Sequence, residues 1–202
     1  MTRSIAIVLF DAAEELDFVG PWEVLTYTAK MNPNTCRVFT VSQHGGEVRC
    51  AKGMRVIADH SFADCPAPDI ILVPGGQGTR TEVDNTAMVE FLCRTGQGCE
   101  LVTSVCTGAF LLERAGFLRG KRAVTHWASM DRLRALGTVK VVEERFVDEG
   151  CVITAAGVSA GIDMALHLVG RLWGVDLARQ VQKAIEYFPE PPFAIADAAA
   201  AK

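Results

Sequence analysis

Two short runs of unbroken aliphatic residues limit the fold of this chain most: Ile5-Ala-Ile-Val-Leu-Phe10, and Ile70-Ile-Leu-Val73 within Asp69–Pro74. A strand that is apolar on both faces has to be covered on both faces, as in parallel sheets flanked by helices. Further strands are expected at Arg37–Ser42 and Glu100–Val105, with a short extended segment at Arg122–Trp127. Val139–Val147 and Cys151–Ala155 read as two strands joined by a turn at Asp148-Glu149-Gly150. Helical patterns alternate with these at Pro21–Met31, Asn85–Arg94, Gly108–Ala115, Ser129–Leu136, Ser159–Trp173 and Asp176–Glu186. His44-Gly-Gly46 and Lys52-Gly53 bracket two alternating stretches, which reads as a hairpin set aside from the main sheet. With no internal repeat, the pattern gives an α/β three-layer sandwich with a mainly parallel sheet and a small side hairpin.

At 202 residues the chain is expected to form one domain over 1–193, with 194–202 a frayed tail after the Pro-rich stop at Pro189-Glu-Pro-Pro192. The net charge of −4 and the lack of a Lys/Arg stripe argue against nucleic acid as a partner. No apolar stretch approaches the ~20 residues a membrane span needs. Ile5–Phe10 is too short for a signal peptide and lacks a small-residue cleavage site, so it is read as a first strand. Seven cysteines form an odd set without Cys-x-x-Cys, and the four histidines show no ligand spacing. These observations point to a reducing cytoplasm and to no metal.

Cys106 is the leading candidate for chemistry. It follows Glu100–Val105 and precedes Thr107-Gly108 and a helical run, the layout of a nucleophile elbow. A thiol at a helix N-terminus tends toward the thiolate. Asp17, in Glu14-Glu-Leu-Asp-Phe-Val-Gly-Pro21 after the first strand, is read as a partly desolvated acid able to exchange a proton with that thiol. Its other reading is a cap on the following helix. Gly75 and Gly76 end a strand where backbone N–H groups can form an oxyanion hole, or simply make a tight turn. Thr107 offers its hydroxyl to the site or caps the helix, and His126 serves as base or orienter for Cys106 or packs beside Trp127. The segment Gly75-Gly-Gln-Gly78 does not fit a dinucleotide fingerprint, so no cofactor is expected.

The elements Leu16-Asp-Phe-Val-Gly-Pro21, Val73-Pro-Gly-Gly76, Ser104-Val-Cys-Thr-Gly108, Thr125-His-Trp-Ala128, Ala160-Gly-Ile-Asp163 and Glu186-Tyr-Phe-Pro-Glu-Pro-Pro-Phe193 together resemble the ThiJ/PfpI superfamily. Its fold is flavodoxin-like, of the class I glutamine-amidotransferase type, and the likeness is strongest to the branch that hydrates isocyanides. The resemblance implies that Cys106 attacks the terminal carbon of an isocyanide. Asp17 would protonate the intermediate and help activate water on the resulting thioimidate, giving an N-substituted formamide without a cofactor. It also implies a homodimer. Thr107 stands where the superfamily's proteases carry His, and Asp17 where its glyoxalases usually carry Glu, so neither activity is the implied one. The alternatives are another Cys-dependent, glyoxalase-like activity on a small electrophile and a non-catalytic ligand-sensing module. The latter is related to the N-terminal domain of AraC-type regulators, whose DNA-binding domain has no counterpart in this sequence.

Overall fold

The structure is a computed structural model and describes residues 2–193; the tail expected at 194–202 lies outside the described residues. In chain order the first half comprises β1 (Arg3–Val8), α1 (Glu15–Met31), β2 (Cys36–Ser42), β3 (Gly46–Arg49), β4 (Arg55–Ala58), β5 (His60–Ser61), β6 (Ile70–Val73), α2 (Thr79–Glu82) and α3 (Thr86–Gly96). The second half comprises β7 (Leu101–Val105), α4 (Gly108–Arg114), β8 (Arg122–Ala123), α5 (Met130–Arg134), β9 (Lys140–Val141), β10 (Phe146–Asp148), β11 (Val152–Ala155), α6 (Ala160–Trp173) and α7 (Val175–Ala184).

Seven strands form one sheet in the order β10-β11-β7-β6-β1-β2-β5. All its pairings are parallel except β10 against β11. Period-two alternation along β1 sends Ile5 and Ile7 into one buried layer and Ala6 and Val8 into the other. Phe18, Val24 and Leu25 of α1 and Met164 and Leu168 of α6 fill the first layer. Met88, Phe91 and Leu92 of α3 and Leu111 and Leu112 of α4 fill the second. This is the expected three-layer sandwich, and β3 and β4 form the separate antiparallel hairpin.

Several element boundaries differ from the sequence reading by a few residues, and two of the differences change the local structure. The first helix starts at Glu15, not Pro21, so Pro21 lies inside it and Asp17 in its first turn. The missing proline N–H removes a single helical bond, the one to the carbonyl four residues earlier, and the helix continues through it. The strand expected over Val139–Val147 is two short strands with an irregular link, because Val142 N–H turns away to the Ala123 carbonyl at 3.0 Å.

The chain crosses from β1 to β2 on one side and returns to β6 on the other, making a topological switch point at β1 and β6. Ligands of open α/β sheets bind at such a point, beyond the carboxyl ends of the strands.

Candidate active site

At the carboxyl end of β7 the backbone reverses at Cys106, whose φ is 58°. A non-glycine residue there is strained by ~1–3 kcal/mol and persists only if its surroundings enforce it. Here they do. The Cys106 N–H donates to the carbonyls of Ala155 at 3.1 Å and Ala156 at 2.9 Å, and Thr125 Oγ1 donates to the Cys106 carbonyl at 2.8 Å. A Cβ on Gly108 would lie 2.2 Å from the Val73 carbonyl oxygen, so the first turn of α4 needs a glycine.

Asp17 reaches this point from the first turn of α1 and is 0% exposed. Its Oδ2 accepts a hydrogen bond from Gly75 N–H at 2.8 Å. Its Oδ1 is buried without a hydrogen-bond partner among the described residues. Burial, reinforced by the negative charge of Glu14, pushes the Asp17 carboxyl up to about 7 against the opposing pull of the Gly75 bond. The Cys106 thiol faces this carboxyl. Burial first, and then the Asp17 charge, push the thiol up to about 12, although the backbone N–H groups of Thr107 and Val158 favour the thiolate.

This corrects the thiolate expected from the elbow: desolvation outweighs the helix start, and the resting thiol is protonated. The two groups titrate as a pair, and the pair loses its first proton near pH 7.

The glycines have a different role from the one read in the sequence. Gly75 N–H is engaged by Asp17 and Gly76 N–H by Thr107 Oγ1 at 3.0 Å, so neither is free to hold an oxyanion. They brace the site instead. A Cβ on Gly75 would meet Thr107 N at 2.5 Å and Asp17 Oδ2 at 2.8 Å, which requires glycine there. Thr107 makes no side-chain cap on α4. Its hydroxyl joins Gly76 to Thr79 Oγ1, 3.1 Å away. His126 makes no hydrogen bond to Cys106 among the described residues. Its Nδ1 accepts from Ala128 N–H at 3.2 Å, which leaves the proton of the neutral ring on Nε2.

Val158 was not singled out from the sequence. It is β-branched yet sits at φ 49°, and its N–H faces both Cys106 and Asp17. A clamp fixes its turn. Ala156 N–H donates to the Arg145 carbonyl at 3.0 Å, and the Arg145 guanidinium binds Ser159 Oγ at 3.0 Å and Asp163 Oδ2 at 2.6 Å. Tyr187 O–H donates to the same Asp163 oxygen at 3.2 Å. Asp163 and Tyr187 stand in two of the segments that carry the family resemblance, which was the available signal.

Above the pair opens a cleft of about 250 Å³, with Cys106 and Thr107 at its base and Glu14, Arg80, His126 and Ser129 on its walls. Among the described residues no three His, Cys, Asp or Glu side chains gather to hold a metal ion, and no helix is long and apolar enough to cross a membrane.

The sequence model of the DJ-1/PfpI family matches residues 3–171. An isonitrile hydratase of Pseudomonas putida is 39% identical over 96% of this chain and 82% of its own length. The HTH-type transcriptional regulator CdhR of Pseudomonas aeruginosa is 28% identical over 91% of this chain, which spans only 54% of that regulator. Among solved structures, a ThiJ/PfpI family protein from Pseudomonas syringae superposes with a TM-score of 0.89 at 29% identity, covering 97% of this chain and 79% of that one.

Proposed function

Because the chain belongs to the DJ-1/PfpI family, we propose that Cys106 and Asp17 hydrate an isocyanide to an N-substituted formamide. The observation that carries this reading is the wholly buried Asp17, its Oδ1 unpartnered and its carboxyl pushed up to about 7, set against a thiol held at positive φ. The similarity to an isonitrile hydratase at 39% identity supports the choice of substrate.

The thiol proton passes to Asp17 and the sulfur forms a bond to the terminal isocyanide carbon. Asp17 returns that proton to the same carbon, leaving a thioimidate. The Asp17 carboxylate then takes a proton from water as the water oxygen adds to the carbon, and passes it to nitrogen. Collapse breaks the C–S bond, returns the hydroxyl proton to sulfur and releases the formamide. One water is consumed, and no electrons are exchanged with a cofactor. A carboxyl near 7 suits both proton transfers at neutral pH.

A second reading, a ligand-sensing module, is supported by the likeness to the regulator CdhR. Hydration of an aryl isocyanide, followed by formamide absorbance, separates the two. Turnover by wild type and its loss in Cys106→Ala are expected. No turnover from folded, reduced protein overturns the hydratase reading in favour of the sensor.

A homodimer is also part of the proposal. Exposed Met54 and Ile57 flank a groove lined by Phe18, Val19 and Trp22, a face suited to a second copy. Light scattering is expected to give twice the 21.8 kDa chain mass, and a monomer overturns this.

A further inference from the structure

The walls of the Cys106 cleft carry more donors than the reaction at sulfur needs. Arg80, on α2, is the one Lys or Arg side chain that lines the cleft. Its guanidinium binds the Gln77 side-chain oxygen, a neutral acceptor that leaves its charge uncancelled. No carboxylate lies within ion-pair distance of Arg80 among the described residues. His126, with its remaining ring proton on Nε2, and Ser129 line the same cleft.

The acidic groups near this space are otherwise engaged. Glu14 pairs with Lys52, and Asp17 is fully buried and does not line the cleft. We infer that the wall formed by Arg80, His126 and Ser129 binds a carboxylate on the substituent of the electrophile that Cys106 attacks. A guanidinium fork matches the two oxygens of a carboxylate, and the imidazole and hydroxyl donors meet the remaining lone pairs. Nothing on the walls besides Glu14 opposes an anion. The inference rests on Cys106 as the attacking atom in the reading above, and does not depend on the electrophile being an isocyanide.

The test compares two alkylating agents of similar size, the anion iodoacetate and neutral iodoacetamide. Each is displaced at carbon by the Cys106 sulfur with loss of iodide. Rates are read at the Cys106 peptide by mass spectrometry in the full, reduced chain. The same chain unfolded in urea supplies the intrinsic reagent ratio. The iodoacetate-to-iodoacetamide ratio at folded Cys106 is expected to exceed the unfolded value by about tenfold. It should fall about fivefold on going from low salt to ~1 M, because screening weakens a solvent-reached charge.

Arg80→Gln is expected to bring the ratio to the unfolded value, and Arg80→Lys to restore most of it. Because the readout is a ratio, a change in thiol reactivity alone does not alter it. A folded ratio equal to the unfolded one overturns the inference, as does a ratio indifferent to Arg80→Gln. Anion preference in a protein that hydrates no isocyanide retains the carboxylate wall and removes the hydratase reading. Hydration with no anion preference does the reverse.

Discussion

The two ends of β7 each carry a cysteine, and the contrast between them explains what makes a site. Cys99 lies two residues before the strand and Cys106 directly after it. Burial is the leading cause at both, and both thiols are pushed up to about 12. Each also feels an aspartate as its second influence, Asp69 at one end and Asp17 at the other. The aspartates differ. Asp69 is held below the usual carboxylate range by Ser4, whose backbone N–H and hydroxyl donate to Oδ2 at 2.7 and 2.9 Å. It takes no proton near neutral pH. The Cys99 thiol instead donates to the carbonyls of Pro68 and Thr95, each at 3.3 Å. Asp17, desolvated and pushed up to about 7, is an acceptor matched to the working pH. A buried thiol gains reactivity from the group that takes its proton, more than from its own titration.

The largest effect that can break this comparison is the difference in alkylation between the two thiols. In the folded protein at pH 8, iodoacetamide is expected to modify Cys106 about 100-fold faster than Cys99. Asp17→Asn should bring Cys106 to within a few-fold of Cys99. The Cys106 rate should also rise as pH passes about 7, where the pair drops from two protons to one, and that step should vanish in Asp17→Asn. Peptide mass spectrometry over pH 5–9 reads both quantities. Equal rates at the two cysteines would remove Asp17 from the mechanism.

Stability gives the next effect. Asp17 is raised from 3.8 to about 7 by folding, so the folded chain binds the extra proton between those values. Stability contributed by the neutral carboxyl is therefore lost as pH rises from about 4 to 7. Asp69 is lowered and has the opposite sign, contributing above the unfolded carboxylate range and losing that contribution as pH falls through its folded value. Asp17→Asn is expected to stabilise the protein by about 2 kcal/mol at pH 8 and to have little effect at pH 4. Urea unfolding at the two pH values tests this. A variant less stable than wild type at pH 8 would mean that Asp17 is ionised at little cost.

The same contrast separates what the sequence makes legible from what it hides. Ile5–Phe10 and Ile70–Val73 dictate buried parallel strands because no other arrangement covers both their faces, and the elbow follows from small residues at the end of β7. The pairing of Cys106 with Asp17 was readable because both stand after strands of one parallel sheet. The sign of the thiol shift was not, since it depends on how completely the helices exclude water. The occupancy of the Gly75 and Gly76 N–H groups was hidden for a related reason: a glycine pair looks alike whether its donors are free or bonded. Val158 was invisible because nothing about a valine announces positive φ. That conformation is held by a tertiary clamp, from Arg145 before β10 to Asp163 in the first turn of α6.

Those groups set the smallest effect, which sharpens the comparison at the Cys106 end alone. The Arg145–Asp163 pair is partly exposed, at 49% and 28% for the two side chains, so its direct contribution to stability is modest. Its position matters more: it ties the start of α6 to the segment before β10, and the Val158 N–H lies between these anchors. Asp163→Asn keeps the side-chain shape and the Tyr187 contact while removing the charge that holds the Arg145 guanidinium. The turn should loosen and the Val158 N–H should spend less time on the Cys106 sulfur. Alkylation of Cys106 is expected to slow about fivefold, with Cys99 unchanged. Arg145→Lys, which retains the charge but loses the fork to Ser159, should fall between wild type and Asp163→Asn. A purely structural role would lower the melting temperature and leave the Cys106-to-Cys99 rate ratio as it was. A ratio that falls with the clamp intact in neither variant places the Val158 turn in the chemistry of the pair, because Cys99, at the other end of β7, lies outside the reach of that turn.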